Sequence, residues 1–194
     1  MLLENIKTIL ADSLSLFPSN DEKNRIASVL IVIYGNEPKI LMTKKSSILK
    51  LHAGEIAFPG GKYELSDANL LETALRETRE EVNLSIRHDH VIGQLQPVTT
   101  LNSKFIIYPF IAVVRRLPRL KDNPEVESIL DIPLFPLLQT ISKDMDPEHQ
   151  SIQEMYTFTY LDHLIWGASA RMLKQIHDIF SQNNLLTKYD YKPS

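Results

Sequence analysis

The sequence predicts an α/β (α+β) layered fold around a mixed β-sheet, and three observations carry that expectation. Ile26 to Tyr34 (IASVLIVIY) is a nearly continuous apolar, β-branched run, as expected of a strand covered on both faces. Phe105 to Val114 (FIIYPFIAVV) is a second run of the same kind. Two segments with helical character, Asp67 to Val82 and Ile165 to Gln182, follow these runs, so strands and helices interleave along the chain. With 194 residues, 43% of them hydrophobic and 23% charged, the composition is that of a single globular domain over 1–194.

Taken in order, the N-terminal stretch 1–20 reads as an amphipathic helix, apolar at Leu2, Leu3, Ile6, Ile9, Leu10 and Leu14. Glu4, Lys7 and Asp12 interrupt any signal-peptide core, and no run approaches the ~18 apolar residues of a membrane span. A soluble, cytoplasmic protein is therefore expected. Phe17 to Asp21 is a turn cluster, Ile26 to Tyr34 the first strand, and Lys39 to Thr43 a second. Lys44 to Gly54 reads as a polar, basic loop, and Glu55 to Phe58 as a short extended piece ending at Pro59-Gly60-Gly61. Asp67 to Val82 is a helix with Ser66 or Asp67 as its N-cap and Asn83 as a left-handed C-cap. Val91 to Thr99 and Phe105 to Val114 follow as strands, Pro109 inviting an edge or a bulge in the latter. Pro124 to Ile132 reads as a charged connection and Leu134 to Ile141 as a short helix. Met155 to Tyr160 alternates as a strand, and Ile165 to Gln182 closes the domain as a helix.

Composition removes several function classes. Lys and Arg total 21 against 24 Asp and Glu, so no positive surplus exists to neutralise a nucleic-acid backbone or an anionic membrane. Neither is expected as a partner. The absence of Cys excludes disulfides, thiolate nucleophiles and Cys-based zinc sites, and leaves any metal to oxygen or His.

The helix from Asp67 to Val82 carries a cluster of acids. At roughly 100° per residue, Glu77, Glu80 and Glu81 fall within about 100° of one face, immediately beside the apolar stripe of Leu71, Leu75, Thr78 and Val82. Three glutamates on a helix are ordinarily a solvated face. Here they repel one another at i,i+3 and i,i+4, and Glu80 and Glu81 stand in the last turn, where the helix dipole favours cations. Something positive must compensate, and clustered carboxylates match hard cations such as Mg²⁺ or Mn²⁺. Gly60-Gly61, just before the helix, lets the backbone approach a bound ion closely. Lys44, Lys45, Lys50 and His52 supply positive charge for an anionic substrate.

The stretch GGKYELSDANLLETALRETREEVNL resembles a Nudix box, whose pattern is Gly, five residues, Glu, seven residues, then Arg-Glu-x-x-Glu-Glu-x-Gly and an apolar residue. The tail matches as Arg76-Glu77-x-x-Glu80-Glu81-x-Asn83-Leu84. Asp67 replaces the first Glu, one extra residue separates it from Arg76, and Asn83 replaces Gly. That longer spacing, with Thr73-Ala74-Leu75 before the Arg, resembles the coenzyme A pyrophosphatase branch. The branch's upstream motif is matched, without gaps, by Leu41-Met42-Thr43-Lys44-Lys45-Ser46, Lys50, Gly54 and Phe58-Pro59-Gly60-Gly61, with Lys45 and Lys50 standing where the family has Arg. Glu125-Val126 leading to Ile132-Pro133-Leu134, and Ile165 to Arg171 (IWGASAR), are similar to the branch as well.

The resemblance implies a Nudix-like α/β/α sandwich, with 41–84 as the extended motif region and 165–182 as the closing helix. It implies a hydrolase that cleaves the diphosphate of coenzyme A or a derivative into 3',5'-ADP and 4'-phosphopantetheine. Another nucleoside diphosphate derivative such as ADP-ribose, or a ligand sensor without turnover, are the alternatives. By the same resemblance Glu77, Glu80, Glu81 and the Gly61 carbonyl, with Glu125, hold Mg²⁺ or Mn²⁺; Glu77 is ligand or base, and Arg76 orients a glutamate. Lys45, Lys50, His52 and Gly60 are placed on the substrate side, and a homodimer is the expected assembly.

Overall fold

The computed structural model describes residues 2–17, 25–48, 53–100, 103–145 and 155–187. Its sheet is mixed. β1 (Ile26–Tyr34) runs parallel to β7 (Ile106–Val114) along nine register pairs, and every residue of β1 is buried, which explains its unbroken apolar sequence. On the far side of β7 lie β5 (Val91–Gln94) and β6 (Val98–Thr99). On the near side of β1 lie β2 (Lys39–Lys45), then β8 (Val126–Pro133) as the opposite edge. β3 (Ile56–Ala57) and β4 (Gly60–Lys62) complete the sheet.

One face is covered by α2 (Leu70–Val82), the other by α1 (Leu2–Leu10), α3 (Leu134–Gln139) and α4 (Gly167–Gln182). A small sheet of β9 (Ser142–Lys143), β10 (Tyr156–Tyr160) and β11 (His163–Ile165) joins the second face. The layering is α/β/α. Among the described residues no helix is long and apolar enough to cross a membrane.

Several details differ from the sequence reading, each for a physical reason; the closing helix, read over 165–182, begins at Gly167 because Ile165, in β11, pairs with Phe158. The N-terminal helix ends at Leu10 instead of running to residue 20, because residues 11–16 cross the sheet edge. Leu3, Ile6 and Leu10 pack on one face of the sheet while Leu14 and Leu16 pack on the other, beside α2. The stretch 91–99 is two strands, since Gln96 turns its N–H to the Gln175 side chain (2.9 Å) and Pro97 has none to give. Pro109 lies opposite that break: its carbonyl accepts from Leu95 N–H (3.0 Å) on that side, where its missing donor also falls, so an interior strand tolerates it. The charged stretch after Pro124 is the edge strand β8, its Glu127 and Asp131 exposed as edge strands require. The turn cluster at Phe17 to Asp21 falls mostly outside the described residues.

α2 begins at Leu70, not Asp67. Its N-cap is Asn69, in extended conformation, whose side-chain oxygen accepts from the N–H groups of Leu71 (2.9 Å) and Glu72 (3.1 Å). The Leu70 N–H donates to the Leu16 carbonyl (2.9 Å), so the N-terminal segment finishes the cap. Asn83 closes the helix at φ 55°, the left-handed C-cap expected, with its N–H on the Arg79 carbonyl. Leu70, Leu71, Leu75 and Val82 are buried against β1 and β7, each contributing about 1.5–3 kcal/mol.

Candidate active site

The site exists because β1 and β2 splay. They share the pairs Ile33↔Ile40 and Tyr34↔Lys39, then separate, and residues 56–62 fill the gap. Ile56 and Ala57 pair with β2, whereas Gly60 to Lys62 pair with β1. Phe58 is buried and the Pro59 carbonyl accepts from Leu30 N–H (2.9 Å), so Phe-Pro-Gly-Gly crosses from one strand to the other beneath α2. Each glycine is needed there. A Cβ on Gly60 would lie 2.6 Å from Val29 Cα, and one on Gly61 would lie 2.6 Å from Glu77 Oε2.

Arg76 organises the acids. Its guanidinium grips Asp67 with two bonds (Nε to Oδ1 2.8 Å, Nη2 to Oδ2 3.0 Å), and also donates to Glu77 (3.0 Å), Glu80 (3.1 Å) and the Lys62 carbonyl (3.2 Å). Asp67 in turn accepts from the Thr73 hydroxyl (2.9 Å) and Glu64 N–H (3.0 Å). This is the role of the substituted first acid of the box. Standing ahead of the N-cap, a short Asp one residue further back still meets the guanidinium squarely.

Glu80 is half exposed, Glu77 mostly covered, and Glu81 buried at 2% exposure. The sequence wheel placed the acids at the core border; Glu81 lies inside it. Its Oε1 receives Lys45 Nζ at 2.5 Å. Lys45 reaches it because β2 continues two residues past Thr43, and alternation puts Leu41, Thr43 and Lys45 on the α2 face. Burial pushes the Glu77 carboxyl above its usual range, with Arg76 opposing and Glu80 adding. Burial does the same to Glu81, opposed by Lys45 and the Gly60 backbone N–H and reinforced by Glu77. Asp67 shows the opposite outcome: burial works against its charge, but the Arg76 fork prevails and holds the carboxyl low.

Two buried side-chain oxygens lack a hydrogen-bond partner among the described residues, Glu81 Oε2 and Ser28 Oγ, and both belong here, since Ser28 is the register partner of Gly61. Glu125 is exposed, and its carbonyl accepts from Ser46 N–H (2.8 Å) while Asn123 N–H donates to the Glu81 carbonyl (3.0 Å), so its segment borders the end of α2. Lys44 turns away to Glu127 (2.6 Å). Lys50 and His52 lie outside the described residues.

The structure thus brings together Lys45, Gly60, Gly61, Arg76, Glu77, Glu80 and Glu81, adds Asp67, and sets Glu125 at the border. Among the described residues no three acidic or imidazole side chains converge as a ready metal cage. The carboxylates are held instead by an ammonium and a guanidinium. Four carboxylates against two cations leave a surplus of two negative charges. With only hard oxygen donors and an unpartnered buried Oε2, that surplus fits a divalent cation.

Comparison with known proteins agrees with this geometry. The NUDIX domain family matches residues 24–156. The chain is 35% identical over 159 residues to the uncharacterized Nudix hydrolase NudL of Photorhabdus laumondii, covering 80% of this chain and 84% of that protein. Its fold is similar to the crystal structure of a NUDIX hydrolase from Alicyclobacillus acidocaldarius (TM-score 0.56, 18% identity, 87% of this chain and 98% of that one). It is also similar to the NUDIX domain of Shewanella oneidensis NrtR complexed with ADP ribose (TM-score 0.50, 18% identity, 63% and 80%).

Proposed function

The chain belongs to the Nudix family and is a diphosphatase-type hydrolase, and we propose that its substrate is coenzyme A or a derivative, cut to 3',5'-ADP and 4'-phosphopantetheine or its acyl form. The observation that carries a phosphoanhydride reaction is the doubly negative cluster of Glu77, Glu80 and Glu81 packed on Gly60-Gly61, with one buried oxygen free to bind. The choice of coenzyme A rests on the sequence: the Leu41 to Gly61 register, the longer spacing before Arg76, and the Ile165 to Arg171 stretch.

Nudix hydrolases need divalent metal ions, and here Glu77, Glu80, Glu81 and the Gly61 carbonyl would hold Mg²⁺ or Mn²⁺. The ion, when bound, withdraws charge from the phosphoryl oxygens and acidifies a water. The chain does the rest. Arg76, locked on Asp67, fixes the directions of Glu77 and Glu80. A buried carboxylate with a raised pKa, Glu77 or Glu81, suits taking the proton from water as it adds to phosphorus and the bridging oxygen leaves with the other phosphate. Lys50, His52 and Lys45 offer cationic contacts to the substrate's anionic end, with Glu125 at the rim. One domain over 1–194, acting in the cytoplasm as a homodimer, completes the proposal; light scattering after gel filtration reads the assembly.

A second reading keeps the chemistry and changes the substrate to another nucleoside diphosphate derivative such as ADP-ribose. Lys45 and Lys50 in place of Arg favour it, because an ammonium cannot grip a phosphate with a bidentate fork. Incubation with coenzyme A, ADP-ribose and dinucleotide polyphosphates, with and without Mn²⁺, followed by mass analysis, decides. Metal-dependent appearance of 3',5'-ADP and phosphopantetheine supports the first reading; cleavage of ADP-ribose alone supports the second. No cleavage of any of them overturns both.

A further inference from the structure

We propose that Lys45 is a resident counter-cation: it neutralises buried Glu81 in the metal-free protein and withdraws when a divalent ion arrives, freeing its ammonium for the substrate's phosphates. This rests on the metallohydrolase reading above, and deepens it by giving one residue two successive partners. The two cations of the site are held very differently. Arg76 donates to Asp67, Glu77, Glu80 and the Lys62 carbonyl, five bonds that fix it permanently. Among the described residues the Lys45 ammonium makes one bond, to Glu81 Oε1, and the buried Oε2 beside it receives none. A structural pair in such a place satisfies both oxygens, because a half-satisfied buried carboxylate is costly. Half satisfaction is what an exchangeable partner leaves.

The surroundings support release. Lys45 is the last residue of β2, where the ladder to β8 becomes irregular: Glu127 is the extra residue between the partners of Lys44 and Lys45, so pairing at this strand end is broken. The Lys45 side chain is 15% exposed against 3% for Glu81, so its stem already reaches toward solvent. The Lys45 charge is also felt at Glu77, a second carboxylate an ion would use. A dication taken up by Glu81 competes with the ammonium for the same carboxylate, and two cations at that range repel each other directly.

The test uses the whole chain, Mn²⁺ titration calorimetry and thermal melts of wild type, Lys45→Met and Lys44→Met. Lys44 carries the same charge one residue away but pairs with Glu127, so its variant controls for simple charge loss. Lys45→Met should lower the metal-free Tm by roughly 5 °C, bind Mn²⁺ roughly tenfold more tightly, and gain more Tm from the metal than wild type. Lys44→Met should match wild type in all three. A Lys45→Met affinity equal to or weaker than wild type overturns the proposal. Should that variant not fold, the wild type still answers: the Lys45 ammonium protons, assigned by their loss in Lys45→Arg, should be protected from exchange without Mg²⁺ and lose protection on saturation. Protection unchanged by Mg²⁺ also overturns it. Absence of Mn²⁺ uptake by wild type itself would instead overturn the metallohydrolase reading, and this proposal with it.

Discussion

Replacing Gly61 by alanine should separate folding from chemistry. The new methyl would fall 2.6 Å from Glu77 Oε2, and ordinary contact begins near 3.4 Å. The obstacle is the far end of a flexible side chain, so the carboxylate yields and the backbone does not. Its retreat by about 1 Å breaks the Arg76–Glu77 bond, a loss of about 1 kcal/mol, which the strand preference of alanine over glycine offsets by about 0.5–1 kcal/mol. The melting temperature should stay within about 3 °C of wild type. The chemistry has no such compensation: misplacing a reacting group by this distance lowers kcat about 100-fold. Gly60→Ala should do the reverse, because its methyl meets Val29 Cα and the Ser28 carbonyl, main-chain atoms of β1 that cannot step aside, at a cost of about 3 kcal/mol. Metal-dependent product release and thermal melts on both variants test the pair. Gly61→Ala retaining activity within about threefold, under ~0.7 kcal/mol of transition-state stabilisation, would refute the assignment of Glu77 to the reacting centre.

Glu81→Gln keeps the shape and removes a buried charge, so metal-dependent turnover should fall at least about 100-fold with melting largely intact; full residual activity would reject its role. Asp67→Asn breaks the Arg76 fork and should cost about 2–3 kcal/mol together with roughly tenfold in kcat, measured by denaturant titration and steady-state rates. Asn69→Ala should lose about 1 kcal/mol of cap energy with Arg76 and its acids undisturbed. The carboxyls of Glu77 and Glu81 sit above their ordinary 4.5, so the folded state binds protons more tightly than the unfolded one. Metal-free stability should therefore fall as pH rises from 4.5 through their folded values, and that slope should flatten in Glu81→Gln. Asp67 has the opposite sign: its contribution is present above the ordinary 3.8 and is lost as pH falls through its lower folded value.

Strong local signals were legible and relational ones were not. The all-apolar β1, the α2 stripe and the Asn83 cap could be read residue by residue, as could the acids clustered on one helix face. Lys45 was legible as a substrate-side cation, but its pairing with Glu81 was not, because its membership of β2 depends on pairing with β8, more than eighty residues later. β8 itself read as a connection because Glu127 and Asp131 mask its alternation with Val126 and Ile132, and only an edge position makes that pattern a strand. The true N-cap was hidden for a related reason. Ser66 or Asp67 was the expected cap, but the nine-residue reach from Arg76 claims the Asp67 carboxylate, and the cap is Asn69.

The N-terminal crossing has a practical consequence. Asp12 N–H occupies the Ile92 carbonyl on the outer strand, Gly93 has no side chain because the Leu10 carbonyl fills that space, and Leu16 then ends on the first turn of α2. A single ribbon thus shields a raw sheet margin and pins the helix that bears the glutamates. Clipping it away, or tugging on it with a fusion partner, would invite self-association and fraying of that helix in one stroke. Purification handles belong elsewhere on this chain.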